Sequence, residues 1–421
     1  MRFDTVAEWL AWQQVAHPIA VDPGLARVGA VWRRLQPARA GTVLTVGGTN
    51  GKGSVCAYLD AMLSAAGYDT GLFTSPHLVR YHERIRVRGR EVTDAALLAA
   101  FERIEAARGD ISLTYFEWNT LAALVVFAHE RVDVAILEVG MGGRLDAVNL
   151  LDADVAAVVS VGLDHCEWLG ATVEQIGAEK AGIFRAGRPA IFGARSIPQS
   201  VLKGAAACGV SLRRLGVDFD FVERADGWDY VGFGSRRREL PLPALAGSMQ
   251  LGNSATALAV LDAAEPAVLV PDEAARAGLR AVRLPGRFQI IAGDPEWILD
   301  VAHNPDAARA LSVGLAARPC RGRTIAVCGI LGDKDIEAIV RPLVAQVQDW
   351  IAVGLPGPRA IAAADLAMRI AQAGGASVST ADTVVVGLGQ AQAVASPGDR
   401  VLVFGSFLTV GPALGFLGTA T

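Results

Sequence analysis

The sequence predicts an α/β fold in two units, and three observations point to it. Short runs rich in β-branched residues alternate with alanine-rich helical stretches. The short runs are apolar throughout, as strands covered on both faces are. Turn residues then gather in "RLPGRFQIIAGDPEW", at Pro285, Gly286, Gly293, Asp294 and Pro295, and a fresh strand–helix alternation begins at Trp297. Buried strands joined by crossover helices make a mostly parallel sheet. The break places a large domain at 1–285 and a smaller α/β domain at 286–421.

The elements follow in chain order. "MRFDTVAEWLAWQQ" reads as an amphipathic helix with charges at Asp4 and Glu8. It has neither the basic start nor the long apolar run of a signal peptide. Strands are expected at Thr42–Val46, Val134–Val139, Val155–Val161, Thr324–Cys328, Trp350–Gly354 and Val401–Phe404. Helices are expected over Val55–Ala66, Asn119–Glu130 and Asp335–Val347. Thr172 and Gln175 form a capping-box pattern that opens another helix. Residues 217–245 alternate aromatic and polar side chains and read as a small antiparallel addition.

Of the 421 residues, 52% are hydrophobic and 19% charged, enough to bury a sizeable core. A formal net charge of −4 gives no global basic field for nucleic acid or membrane surfaces. No apolar run reaches the roughly 20 residues of a membrane span. Five scattered cysteines with no CxxC pair imply reduced thiols and a cytoplasmic location.

Four stretches carry chemistry. The first is "VLTVGGTNGKGSVCAYLD". A strict phosphate loop, GxxxxGK[ST], would need glycine at Val46 and a hydroxyl at Gly53, so the strict motif is absent. Its physics remains. A strand runs into consecutive glycines and then a helix, so backbone N–H groups can converge on an anion while Lys52 adds a point charge. The alternative is a glycine-rich turn with a solvated lysine. The second, "VDVAILEVGMGGRLDAVN", ends a strand at Glu138. That carboxylate is either a Mg²⁺ ligand or the partner of a nearby arginine such as Arg144. In "SVGLDHCEWLG", Asp164 and His165 lie just past a strand end, where open α/β sheets place ligands. In "TVEQIGAEKAGIF", Lys180 sits among small apolar neighbours, either turned inward or snorkelling to the surface.

Together these stretches resemble the folylpolyglutamate synthase family of the Mur ligase superfamily. The likeness runs nearly end to end, through "GGTNGKGS", "TSPHLVRYHERIRV", "TYFEWNTLAAL", "LEVGMGGRLDAVN", "LDHCEWLG", "AEKAGIFR", "LPGRFQ", "LDVAHNP" and "FGSF" in that order. The lysine-glycine-serine ending is the family's own form of the loop. The resemblance implies a P-loop Mur-ligase-type central domain plus a smaller Rossmann-like C-terminal glutamate-ligase domain. It implies an ATP-dependent amide ligase that adds L-glutamate to dihydropteroate and then to reduced folates. A monofunctional folylpolyglutamate synthase and a binding protein without ligase activity are the rivals.

The resemblance also assigns residues. Lys52 and Lys180 match catalytic positions. Thr49, Asn50, Gly51, Lys52, Gly53, Ser54, Asn253, Arg287, Asp300 and His303 match ATP contacts. Ser75, Glu138, His165 and Lys180 match the ligands of two Mg²⁺ ions, Lys180 as a carbamylated lysine. Ala20, Val21, Asp22, Pro23, Thr114, Tyr115, Phe116, Glu117, Leu145, Asp146 and Ala147 match the pterin-substrate site. The implied partners are small molecules only, and the implied state is a monomer.

That reaction suits such residues. A carboxylate does not condense with an amine at neutral pH until ATP has converted it to an acyl phosphate, whose charge must be neutralised. Arginines 80, 84, 86, 88 and 90 are either a solvated face or, in part, holders of substrate carboxylates.

Overall fold

The computed structural model describes residues 2–419. The chain divides into two compact units. The first takes the residues up to Pro76, then His82–Pro243 and Leu251–Val282. The second takes the residues from Arg283 onward, together with the short segments His77–Tyr81 and Ala244–Gln250.

The first unit is built on an eight-stranded sheet. Its strands run, edge to edge, Arg90–Glu91, Ile85–Val87, Thr70–Phe73, Val134–Glu138, Thr42–Gly47, Val155–Val158, Pro189–Phe192 and Ser211–Arg214. Only two pairings are antiparallel, those of Ile85–Val87 with Arg90–Glu91 and with Thr70–Phe73. Thr42–Gly47 is buried at every position and pairs in parallel on both sides, which is why its sequence shows no polar alternation. Its exit crosses to Thr70–Phe73 on one side, whereas Val155–Val158 next to it leads to Pro189–Phe192 on the other. Adjacent strands with connections leaving in opposite directions form a crevice at their carboxyl ends, where ligands bind in open α/β sheets. Residues 217–245 hold the three-stranded antiparallel sheet Asp220–Arg224, Gly227–Val231 and Arg236–Leu240.

The second unit has a six-stranded sheet in the order Gln289–Ile291, Glu296–Asp300, Arg400–Phe404, Thr324–Cys328, Asp349–Val353 and Val378–Ala381. All but the first strand run parallel. Side chains from Ala308, Ile339 and Leu366 pack one face, and those from Leu388, Val410 and Ala413 the other, so the sheet is doubly wound.

Several boundaries differ from the sequence reading. The expected helix Asp335–Val347 is one short helix, Ile336–Val340, followed by a 3-10 turn at Arg341–Leu343. Pro342 lacks the N–H that would continue the helix, and its ring crowds the preceding turn. The helix expected from Asn119 begins at Tyr115, because Thr114 and Glu117 close a reciprocal capping box. The helix expected from Val55 begins at Lys52, with Gly51 as N-cap at φ 86°. The strands expected to reach Val139 and Val161 stop at Glu138 and Val158, where the chain turns into loops.

Candidate active site

The glycine loop leaves the first unit's central strand at Gly47 and closes onto the next loop. Thr49 N–H donates to the Ser160 carbonyl at 2.8 Å, and Asn50 N–H to Ser160 Oγ at 3.0 Å. Gly51 permits the left-handed turn into the helix. A Cβ there would also lie 2.6 Å from Asn253 Oδ1. Lys52 therefore opens the helix, and its ammonium donates to the carbonyls of Gly48 at 3.1 Å and Thr49 at 3.3 Å. The first-turn N–H groups of Lys52, Gly53 and Ser54 lie at a helix N-terminus, which favours an anion.

Glu138 sits beside this loop, in register with Val46 of the neighbouring strand. Only 4% of it is exposed, and it accepts the Ser75 N–H at 3.0 Å. Arg144 pairs instead with Glu179 at 2.8 Å, so it is not the strand-end partner that the sequence allowed. Of the four implied metal ligands, Ser75 and Glu138 are thus directly joined.

Lys180 lies in the last turn of the helix Val173–Ala181, turned inward and 4% exposed. Burial, with the ammonium of Lys52 nearby, lowers its pKa to about 7, against the pull of Asp164 and Asp146. His165 adopts φ 51° and opens the short helix Cys166–Leu169. Its N–H donates to Asp164 Oδ1 at 2.9 Å.

The three stretches matched to the pterin substrate come together. Gly24 N–H donates to the Leu145 carbonyl at 3.1 Å, which ties the first stretch to the third. Phe116 packs so close to Gly140 that a Cβ there would lie 2.5 Å from its ring, and it meets Phe73 at 5.9 Å between centroids. Asp146 accepts N–H bonds from Met141 and Val148, both at 2.9 Å, yet burial pushes its pKa up to about 6.

In the second unit, Asp300 accepts N–H bonds from Phe288 at 2.7 Å and Ala302 at 2.8 Å. Burial raises its pKa although Arg287 opposes the shift. Arg287 and His303 both face the Phe407 ring, at 5.1 Å and 6.3 Å from its centroid.

Among the described residues, no three His, Cys, Asp or Glu side chains gather as a metal site. The implied set contains only two of those types, Glu138 and His165. The oxygens of Glu138 and Ser75 suit a hard cation such as Mg²⁺, while Lys180 offers only an amine unless it is modified.

The sequence reading did not single out Ser160, Arg27 or His17. Ser160 stands just past a strand end beside the loop, a position that could have drawn notice. It left Arg84 among five arginines. Arg84 is buried and lies 5.7 Å from the Tyr115 ring centroid, whereas Arg88 pairs with Asp69 and Glu130, each at 2.9 Å, on the surface.

Comparison with known proteins places the chain. Residues 46–194 match the Mur ligase middle domain, and residues 286–407 the Mur ligase glutamate ligase domain. Dihydrofolate synthase/folylpolyglutamate synthase of Escherichia coli K12 is 45% identical over 406 residues, covering 96% of this chain and 94% of that protein. The structure of E. coli FolC in complex with DHPP and ADP superposes with a TM-score of 0.94 at 44% identity, covering 99% of this chain and 98% of that one. A bifunctional folylpolyglutamate synthase/dihydrofolate synthase with Mn, AMPPNP and L-glutamate bound matches at TM-score 0.91 and 44% identity, covering 99% and 98%. With both domains matched and its relatives aligned almost end to end, the chain belongs to the dihydrofolate synthase/folylpolyglutamate synthase family of Mur ligases.

Proposed function

We propose that this protein joins L-glutamate to 7,8-dihydropteroate and adds further glutamates to reduced folates, consuming ATP through an acyl phosphate. The observation that carries the reading is the junction of loop and strand end. Lys52 opens a helix at the sheet's switch point, and Glu138 ends the neighbouring strand in register with Val46, just before the loop. Relatives with ADP, AMPPNP, Mn and L-glutamate bound support it.

In this reading Thr49 to Ser54 cradle the ATP phosphates, and Lys52 neutralises the group being transferred. Asn253, which abuts Gly51, meets the nucleotide; so do Arg287, Asp300 and His303. Ser75, Glu138, His165 and Lys180 hold two divalent cations, which when bound would offset charge on the phosphate oxygens. Lys180 is poised for modification, because its ammonium is disfavoured by burial and by Lys52. Its neutral amine attacks the carbon of CO₂ and releases a proton, leaving a carbamate whose oxygens replace a cation with an anionic ligand. Ala20–Pro23, Thr114–Glu117 and Leu145–Ala147 enclose the pterin. The substrate carboxylate takes the phosphoryl group, and the glutamate amine then displaces phosphate at the acyl carbon. Binding both reactants makes that second step effectively unimolecular. The enzyme works as a monomer on small molecules in the cytoplasm, a location in keeping with its five free cysteines.

Purified protein with ATP, Mg²⁺ and L-glutamate should release ADP when dihydropteroate is added, and again with tetrahydrofolate. Release with folates alone would leave a monofunctional folylpolyglutamate synthase. Release with neither would leave a nucleotide-binding protein without ligase activity.

A further inference from the structure

The segment between the helices Val6–Gln13 and Ala26–Leu35 has little to hold it. Among the described residues, no backbone group from Ala16 to Pro23 bonds to another backbone group. Side chains do the work instead, and most of them converge on Arg27, at the start of the helix Ala26–Leu35. Arg27 Nη1 donates to Asp22 Oδ2 and Nη2 to the Asp22 carbonyl, both at 2.6 Å. The same guanidinium reaches Glu117, at 3.3 Å from Oε1 and 3.5 Å from Oε2. Glu117 is itself 3% exposed and accepts the Thr114 N–H at 2.7 Å. His17 adds a second tie, with Nε2 at 3.2 Å from Asp22 and Nδ1 at 2.9 Å from Ser112 Oγ.

We infer that Arg27 is the positioning residue of the pterin pocket: it staples the Ala20–Pro23 segment to the Thr114–Glu117 turn, so that Asp22 and Glu117 shape the pocket through Arg27. This rests on the reading of those stretches as the substrate site. The guanidinium fork suits the task, because its several N–H groups meet a carboxylate, a carbonyl and a second carboxylate at once. A lysine ammonium is a point charge and cannot span all three. Asp22 is held by Arg27 and His17, and Glu117 by its ion pair with Arg27 and by the Thr114 N–H, so both carboxylates fix the walls. With the staple gone, the first stretch loses its main anchor and the pocket loses one side.

The test compares wild type with Arg27→Lys, Arg27→Gln and Asp22→Asn. It measures KM for dihydropteroate, ATP and L-glutamate, and dihydropteroate binding by calorimetry. Both Arg27 variants should raise the dihydropteroate KM and Kd by about tenfold or more, since charge-assisted bonds are lost. The KM values for ATP and L-glutamate should stay within about twofold, and Asp22→Asn, which keeps the carbonyl contact, should fall between. Thermal unfolding checks that each variant is folded. Folded Arg27 variants with unchanged dihydropteroate KM and Kd overturn the inference, as does an equal rise in all three KM values. If wild type itself neither binds nor turns over dihydropteroate, the substrate reading fails first, and the two failures are told apart.

Discussion

Asp146 and Asp229 are both shielded from water in the first unit, and their proton affinities are displaced in opposite directions. Asp229 lies in the three-stranded sheet. It pairs with Arg224, stands 3.8 Å from Arg236 and accepts the Glu239 N–H at 3.0 Å. Those partners, Arg224 first, hold its carboxyl well below the usual range. Asp146 lies by the loop after the Val134–Glu138 strand. It accepts backbone N–H bonds, but burial outweighs them and its pKa rises to about 6. Lys180 resembles Asp146: it is buried deeply enough that its charged form is disfavoured near neutrality. Where this fold needs only stability, a buried charge comes with its counter-ion. Around the phosphate loop, burial exceeds pairing. Such costly arrangements cluster where a ligand or a proton transfer completes them.

The largest effect expected from breaking the loop side is on turnover. Lys52→Ala should lower ADP release by about a thousandfold or more, since a phosphoryl group in transfer loses a positioned charge. Stability should fall by only about 1–3 kcal/mol, the worth of its two carbonyl contacts. Steady-state kinetics and thermal unfolding on the same sample check both. Next come Glu138→Gln and His165→Ala, which should raise the Mg²⁺ concentration for half-maximal rate by about 10- to 100-fold. A Mg²⁺ titration identical to wild type would make these residues structural.

A smaller effect is thermodynamic and depends on pH. The pKa of Lys180 is about 7 in the folded chain, below its ordinary value of 10.5. A base whose folded pKa is lowered costs stability below the folded value and ceases to do so as pH climbs to the unfolded value. Lys180→Met should therefore be the more stable protein at pH 6.5, by at most roughly 5 kcal/mol. That advantage should shrink steadily between pH 7 and 10.5. Urea unfolding in CO₂-free buffer measures it, and a gap that does not change with pH would show that the charge on Lys180 costs nothing. The smallest effect belongs to the surface. Arg88→Ala breaks contacts to Asp69 and Glu130 that lie in water, and its melting temperature should match wild type.

Much of this was legible in the sequence, for identifiable reasons. Buried parallel strands such as Thr42–Gly47 leave an unbroken apolar signature and could be read directly, whereas the four-residue strands Thr70–Phe73 and Pro189–Phe192, too short for such a run, were missed. The glycine loop, Glu138 and His165 stood out because they follow such strands. Helix starts were read less well where the signal was local chemistry rather than periodicity, as with the capping box of Thr114 and Glu117. Pro342 lay in plain view inside a helical pattern and broke it. Arg27 was hidden for another reason: its partner Glu117 is ninety positions away in the chain, and no spacing encodes that contact. Pairings of buried charge, such as Asp229 with Arg224 but Asp146 with no arginine, depend on tertiary geometry and leave no mark in one sequence.

The most direct test of the contrast is to assay Asp146→Asn and Asp229→Asn side by side, for dihydropteroate-dependent ADP release and for thermal unfolding at pH 8. Asp146→Asn should lose most of its turnover with a smaller drop in melting temperature than Asp229→Asn, because the one N–H bond that an amide nitrogen cannot accept is offset by removing a carboxylate that burial disfavours. Asp229→Asn should keep its turnover and melt at a lower temperature, because it leaves two arginines without their partner. An active, destabilised Asp146→Asn beside an inactive, stable Asp229→Asn would contradict the account.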